Sequence, residues 1–204
     1  MLRSLVGSER CIRDRVIACD FSEETLARTS AIAKELRNKL RNEPIRWVSP
    51  ELYHLTLQFL GDVPENKIKP IEAIIAAVSE QYPRLPVRLS GAGCFPSLRN
   101  AQTIWLGLDT NPQLNLLVAD LRAGLKPIGF ADDSTFKPHL TLGRLNRDAS
   151  NEQKARVAAQ ILAIKAFQTE LDYFNEIILY KSVLTPSGPI YTALSRFSLK
   201  SMLN

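Results

Sequence analysis

The pattern of hydrophobic and polar positions along the chain predicts strands and helices in repeated succession. Short apolar or alternating runs predict strands in RDRVIACDF, IRWV, YHLTLQFL, LPVRLSG, QTIWLGLD and FKPHLTLGRL. Apolar residues at three- and four-residue steps predict helices over residues 22–40, 64–78, 112–125 and 151–164. The C-terminal segment FNEIILYKSVLTPSGPIYTALSRFSLK predicts a hairpin with TPSG at its turn.

Local signals place the starts of two helices. Ser22 is a predicted N-cap, because Glu23 and Glu24 follow it and suit the positive end of a helix. The second helix is predicted to begin near Pro70, since proline is favoured in a first turn.

The tetrapeptide HLTL occurs twice, and its two copies contain the only histidines of the chain, His54 and His139. By chance, LTL would follow the second histidine in roughly one of two thousand such chains. The separation of the copies is too long for a solenoid repeat and too short for two large domains. Two similar lobes, each of sheet plus helices and packed as one body, fit this spacing.

Alternation within a strand gives each copy of the motif two different faces. His54 and Thr56 share one face, as do His139 and Thr141, while the leucines of each copy lie on the opposite face. Two such strands related by a pseudo-twofold axis would bring two imidazoles and two hydroxyls to one cleft.

These four groups suit the opening of a cyclic phosphodiester. That reaction needs a base for water, an acid for the leaving oxygen, and donors for the non-bridging oxygens. Two imidazoles can supply the acid and the base near neutral pH, and threonine hydroxyls can donate to the phosphate. No metal or other cofactor is expected, because no carboxylate shares the HxT face, although histidine alone leaves metal binding open in principle.

Arg144 follows His139 by five positions, so in a regular strand it would face away from the imidazole. A twist, a bulge or a strand end at Gly143 would be needed to bring its guanidinium to a phosphate; otherwise Arg144 is a solvated surface residue. Phe59 occupies the matching position of the first copy, so the two halves are not chemically equivalent.

Composition and charge add little to this interpretation. The 204 residues are 45% hydrophobic and 23% charged, and the net charge of +5 suits a polyanionic partner without requiring one. No apolar run approaches the roughly 18 residues of a spanning helix, and MLRSLVGSER lacks a signal-peptide pattern, so we expect a cytoplasmic protein. The three cysteines indicate neither a disulfide framework nor a zinc site.

Beyond HLTL, longer segments resemble the two-histidine (2H) phosphoesterase superfamily, and within it the RNA 2′,3′-cyclic phosphodiesterases, also called 2′-5′ RNA ligases. The segments are RDRVIACDF, RWVSPELYHLTLQFLGDV, GAGCFPSLRNAQTIWLGL, FKPHLTLGRL and LYKSVLTPSGPIYTALSRFSL. The resemblance implies a bilobal α+β fold over residues 13–199, with two mainly antiparallel sheets, outer helices and a central cleft. Residues 1–12 would be an N-terminal extension or a misassigned start.

The resemblance also implies a reaction and the residues that perform it. Such enzymes open a 2′,3′-cyclic phosphate at the bond to the 3′ oxygen, without metal, and leave a 2′-phosphate. By this likeness His54 is the proton donor and His139 the proton acceptor. The expected phosphate ligands are Thr56, Thr141 and Arg144. Phe95, in the central loop, is either a stacking platform for a terminal base or a core residue.

Alternatives and one departure stay open at this point. The same groups would serve RNA ligation, the reverse reaction, and the same fold could act as a binding module for RNA ends or nucleotides without turnover. Asp20 and Phe21 stand where the family usually has a Leu-Pro pair. We expect a monomer that acts on RNA ends or nucleotides and does not bind membranes.

Overall fold

The protein forms two antiparallel β-sheets in the computed structural model, which describes residues 13–185 and 188–201. The predicted extension, residues 1–12, and two residues of the predicted TPSG turn, Pro186 and Ser187, lie outside the described residues. The strands are β1 Arg13–Asp20, β2 Ile45–Trp47, β3 His54–Asp62, β4 Leu85–Phe95, β5 Thr103–Thr110, β6 His139–Leu145, β7 Asp172–Phe174, β8 Glu176–Thr185 and β9 Gly188–Ser198. The α-helices are α1 Glu23–Lys39, α2 Glu65–Ser79, α3 Pro112–Leu125 and α4 Asn151–Ala163.

The two HxT strands belong to different sheets. One sheet has the strand order β3-β1-β8-β9 and the other the order β2-β6-β5-β4-β7. The strands β3 and β6 also contact each other, so the sheets approach along the HxT strands. The predicted α+β fold with two antiparallel sheets is confirmed.

Strands are exchanged between the two halves of the chain. The short strand β2 comes early in the sequence but pairs with β6 in the second sheet, and the C-terminal hairpin of β8 and β9 joins β1 in the first sheet. From the sequence pattern alone, each of these strands would be assigned to the sheet formed by its own half of the chain. Since pairing partners are set by contacts distant in sequence, the local pattern does not reveal this exchange.

The leucines of both HLTL copies are buried, as the two-faced strand requires. Leu55 and Leu57 are each 1% exposed, and Leu140 and Leu142 are each 0% exposed. The histidines and threonines of the motif are only half-buried. Burying a leucine side chain contributes about 1.5–3 kcal/mol to stability, so this face holds each strand against the core.

The N-cap predicted at Ser22 is confirmed, whereas the predicted start of the second helix is wrong. The Ser22 side chain accepts a hydrogen bond from the Thr25 N–H at 3.3 Å. Helix α2 begins at Glu65, with Pro70 inside it. Ile68 packs on the core ahead of Pro70 and continues the buried face of the helix. This packing outweighs the hydrogen bond that proline cannot make.

Two further expectations concern the cysteines and the membrane. Cys19 and Cys94 are buried free thiols, and burial raises the pKa of Cys94 to about 11. Cys11 lies outside the described residues. Within residues 13–185 and 188–201, no helix is long and apolar enough to span a membrane.

A stack of rings connects the central loop to the second motif. Trp105, on β5, lies opposite Thr141 of β6. The Phe95 ring lies 5.1 Å from the Trp105 ring and 4.9 Å from the His139 ring, measured between centroids. Gly93 makes room for this stack, because a Cβ there would lie 2.3 Å from Trp105 Cζ2.

We expect Gly93→Ala to destabilise the fold by about 1–3 kcal/mol, the usual effect of overpacking a core. The added methyl group must displace the Trp105 ring, and this displacement carries through Phe95 to His139. Chemical denaturation of both proteins measures the difference in the free energy of unfolding.

Gly124→Ala is the comparison variant, since its Cβ would also approach a side chain closely, at 2.7 Å from Ile74 Cγ2, but this side chain is not an aromatic ring next to His139. Gly124 lies inside helix α3, where alanine is favoured over glycine by about 0.8–1.0 kcal/mol, so we expect Gly124→Ala to destabilise the fold less than Gly93→Ala. Equal stability of Gly93→Ala and the wild type would contradict the tight packing under Trp105.

Candidate active site

Both histidines line one cavity of about 990 Å³, whose walls come from both sheets. Three more of the predicted site residues line the same cavity: Thr56, Thr141 and Arg144. The structure therefore brings together five of the six residues that the sequence selects. The sixth, Phe95, is not part of the lining.

A β-bulge in β6 brings Arg144 to the cavity. Thr141 and Gly143 lie opposite consecutive residues of β5, so Leu142 is the extra residue of the pair. Leu142 and Gly143 are both buried, and Arg144 is exposed. The bulge shifts the alternation by one residue, so Arg144 faces the same side as His139.

The strand β3 contains the same bulge at the same distance from its histidine. Thr56 and Gln58 lie opposite consecutive residues of β1, which makes Leu57 the extra residue. Phe59, the counterpart of Arg144, is 62% exposed and lines the cavity. The two halves thus share one backbone geometry, and they place an aromatic ring and a guanidinium at equivalent positions.

Each imidazole is held by a backbone carbonyl two residues before it. His139 Nδ1 lies 2.6 Å from the Lys137 carbonyl oxygen, and the His54 ring hydrogen-bonds the Leu52 backbone. Because a carbonyl only accepts, Nδ1 of His139 carries a hydrogen, and in the neutral ring Nε2 is the nitrogen that can take up a proton.

Burial lowers the pKa of both histidines below the ordinary value of 6.5, but their neighbours differ. The Asp20 carboxylate acts against burial and raises the pKa of His54. At His139 the hydrogen bond to Lys137 raises the pKa, whereas the Arg144 guanidinium lowers it further. The local charges therefore favour the protonated form at His54 more than at His139.

Asp20 is held beside His54 by the sheet and by a polar network. It lies directly opposite His54 in the β1–β3 pair. The Tyr180 hydroxyl donates to Asp20 Oδ2 at 2.6 Å, and Arg196 lies 3.9 Å from the same oxygen. Burial and the contact with Asp20 raise the pKa of Tyr180, which therefore stays a donor at neutral pH.

Aromatic rings from β8 and β9 contact the His54 ring. The Tyr191 ring lies edge-to-face with the His54 ring at 4.9 Å, and the Tyr180 ring stacks beside it at 6.1 Å. Phe95 contacts His139 edge-to-face, and Lys137 Nζ lies over the Phe95 ring. These rings cover part of each imidazole, and both histidines still line the cavity.

The sequence patterns miss several residues of this cavity. Asp20, Tyr180 and Tyr191 contact or face His54, and Arg46 lines the cavity next to Arg144. Period-two alternation in β8 places Tyr180 and Ser182 on one face, but only the pairing of β8 with β1 shows that this face meets the histidines. In the part of the chain that the structure describes, no group of three or more His, Cys, Asp or Glu residues could hold a metal ion.

The model of the family described as LigT like Phosphoesterase matches residues 20–105 and, a second time, residues 106–191. The chain belongs to the LigT-like phosphoesterase family. Each match contains one HxT motif, so the internal duplication and the membership of the 2H superfamily that the sequence predicts are confirmed. The expectation of an enzyme of the phosphoesterase class is confirmed with it.

Named relatives cover nearly the whole chain. An RNA 2′,3′-cyclic phosphodiesterase from Methanothermobacter thermautotrophicus is 30% identical over 183 residues, which are 90% of this chain and 97% of the relative. One from Archaeoglobus fulgidus is 33% identical over 183 residues, with 89% and 97% covered.

Solved structures show the same fold. The protein TT0787 of Thermus thermophilus superposes with a TM-score of 0.72 at 26% identity, covering 92% of this chain and 98% of that chain. E. coli LigT complexed with 3′-AMP gives a TM-score of 0.70 at 26% identity, with 93% and 99% covered.

We expect Asp20→Asn to lower the pKa of His54 further. The substitution removes the charge that raises this pKa, and the amide oxygen can still accept from Tyr180. Because the chain has only two histidines, an NMR titration of the imidazole resonances resolves each, and a His54→Ala spectrum assigns them.

Asp62→Asn is the control, because Asp62 lies at the far end of β3 and is exposed. This variant makes the same change of charge and should leave the His54 titration in place. A His54 pKa that stays the same or rises in Asp20→Asn would contradict the role of the carboxylate.

Proposed function

We propose that this protein hydrolyses the 2′,3′-cyclic phosphate of RNA ends or nucleotides to a 2′-phosphomonoester, without a divalent metal. The observation that carries the proposal is the meeting of both HxT motifs in one cavity. Binding alone does not need two imidazoles on two symmetric strands, whereas hydrolysis needs an acid and a base. The names of the relatives from M. thermautotrophicus and A. fulgidus support the same substrate.

In the proposed reaction, water attacks phosphorus and the bond from phosphorus to O3′ breaks. His139, neutral at the start, takes a proton from the attacking water. His54, protonated at the start, gives a proton to O3′ on the opposite side of phosphorus. The products are a 2′-phosphate and a free 3′-hydroxyl, and one proton has passed from one histidine to the other by way of the substrate.

The surroundings of the two rings support this division of roles. Asp20 favours the imidazolium that an acid must begin as, and Arg144 favours the neutral ring that a base must begin as. The backbone hydrogen bond of each ring fixes its orientation. A general acid and a general base with opposite starting states are the pair that the reaction requires.

We propose that three side chains bind the cyclic phosphate. The Thr56 and Thr141 hydroxyls can each donate one hydrogen bond to a non-bridging oxygen. The Arg144 guanidinium can donate two and supplies the positive charge. Stacking of a terminal base on Phe95 stays a prediction, since the described contacts of that ring include His139 and Trp105.

Residues 13–199 would form the functional unit of two lobes. Each lobe supplies one HxT strand, and the exchange of strands between the sheets makes each lobe depend on both halves of the chain. We propose that this unit acts as a single domain.

Replacing either histidine with alanine should lower kcat/KM by about 10²- to 10⁴-fold, the usual contribution of a general acid or base.

Wild-type kcat/KM should follow a bell-shaped pH profile whose limbs belong to the coupled pair. Because the pKa of both rings is lowered, its maximum should lie below the ordinary histidine value of 6.5. A flat profile from about pH 5 to 9 would contradict the scheme.

The product of a mononucleotide tests the orientation of the substrate. With cytidine 2′,3′-cyclic phosphate in the presence of a chelator, we expect turnover and a 2′-monophosphate, resolved from the 3′-isomer by chromatography. A predominant 3′-monophosphate would reverse the roles of His54 and His139. Activity that is lost in chelator and restored by zinc or magnesium would rule out the metal-free reaction, and a lack of product from any cyclic-ended substrate would favour a binding module.

A further inference from the structure

A second cavity of about 360 Å³ adjoins the catalytic cavity on the side of Arg144. It is lined by Arg46, Gln102, Thr103, Arg144, Leu145, Asn146 and Arg147. Arg46 and Arg144 line both cavities, so the two cavities are adjacent. We call this second cavity the arginine groove.

The arginine groove concentrates positive charge without neutralising it. In the part of the chain that the structure describes, no aspartate or glutamate lines the groove. Arg46 and Arg144 lie directly opposite each other in the β2–β6 pair, an arrangement of like charges that destabilises a sheet. Among the described residues, none of Arg46, Arg144 and Arg147 forms an ion pair with a carboxylate. An anion in the groove would relieve this repulsion.

The backbone around the groove is held by hydrogen bonds, so the arginines project from a fixed frame. The Leu145 N–H donates to the Gln102 carbonyl at 2.8 Å, and the Asn146 N–H donates to the Pro44 carbonyl at 2.9 Å. Arg144 Nη1 donates to the Thr103 hydroxyl at 3.0 Å, which orients its guanidinium at the boundary between the two cavities.

We propose that the arginine groove binds the phosphodiester on the 5′ side of the terminal nucleotide, so that the enzyme acts on the end of an RNA strand in preference to a mononucleotide. This inference rests on the proposed function, because it assumes that the cyclic phosphate occupies the catalytic cavity. A guanidinium matches a phosphate with two parallel hydrogen bonds, so Arg46 and Arg147 can hold the phosphodiester while Arg144 binds the cyclic phosphate.

The arrangement of the two cavities fits the chemistry of an RNA end. The terminal ribose carries the cyclic phosphate on its 2′ and 3′ oxygens and the preceding phosphodiester on its 5′ oxygen. Two phosphate sites are therefore needed on either side of one ribose. The catalytic cavity and the arginine groove share a wall formed by Arg46 and Arg144, as two sites separated by one ribose would.

Three substrates test the proposal: cytidine 2′,3′-cyclic phosphate, the same compound with a 5′-phosphate, and a dinucleotide that ends in cytidine 2′,3′-cyclic phosphate. We expect the second and third to have a kcat/KM roughly ten- to hundredfold above the first, the range of one charge-assisted hydrogen-bonded contact. The 5′-phosphate separates recognition of the phosphate from recognition of the additional nucleoside.

Arg147→Gln removes one arginine that lines the groove but not the catalytic cavity. We expect it to lower the ratio of dinucleotide to mononucleotide kcat/KM about tenfold, the effect of losing one charge-assisted hydrogen bond, and to weaken the salt dependence measured with the dinucleotide. Arg28→Gln, at an exposed position of helix α1 outside both cavities, changes the net charge equally and should leave the ratio unchanged.

Four results would overturn the arginine groove as a phosphate site. They are equal kcat/KM for all three substrates, a dinucleotide preference that the 5′-phosphate does not reproduce, an unchanged ratio in Arg147→Gln, and an equal loss in Arg28→Gln. If no substrate is turned over, the proposed function fails, and calorimetric binding tests the groove separately. Cytidine 2′-phosphate and a dinucleotide ending in it should then show the same preference and the same loss in Arg147→Gln.

Discussion

The bulge that follows each HxT pair determines which side chains meet in the cavity. Strict alternation would place the fifth residue after each histidine on the core side of its strand. One extra leucine in each strand, Leu57 or Leu142, shifts the alternation, and both leucines remain buried. The bulged residue thus anchors the strand while the residue two positions later, Phe59 or Arg144, turns to the cavity. The bulge in each strand therefore determines both which leucines are buried in the core and which side chains face the cavity.

A symmetric backbone here carries unequal chemistry. Both histidines begin a strand, and both bond to the carbonyl two residues earlier. Across the sheet, however, His54 faces Asp20, and His139 faces Gly107. A carboxylate near one ring and a guanidinium near the other separate the two protonation equilibria. The duplication gives the two histidines equivalent backbone positions. Under the proposed mechanism, the differences at a few neighbouring positions let one histidine act as the acid and the other as the base.

The sequence predicts the parts of this site that follow from local periodicity. The HxT faces, the buried leucines and the helix cap at Ser22 depend on near neighbours in the chain, and the structure shows each of them. The bulge in β3 is harder to predict from the sequence, because it buries a polar residue. Gln58 is 2% exposed, and its side-chain amide donates to the Phe130 carbonyl. The positions of β2, β8 and β9 depend on pairing across the whole chain. Asp20, the tyrosines and the arginine groove therefore emerge only from the fold.

Burial alone would leave both imidazoles neutral near pH 7, and the proposed mechanism would then lack its acid. It lowers the pKa of both imidazoles and so favours the neutral form of each near pH 7. Asp20 opposes this effect at His54, and under the proposed mechanism the negative charge of the bound phosphate adds to it. At His139 the guanidinium of Arg144 offsets that same phosphate charge, so the ring can stay neutral. One arginine would then both bind the substrate and keep the base unprotonated, which explains why the residue that breaks the symmetry lies beside the second histidine.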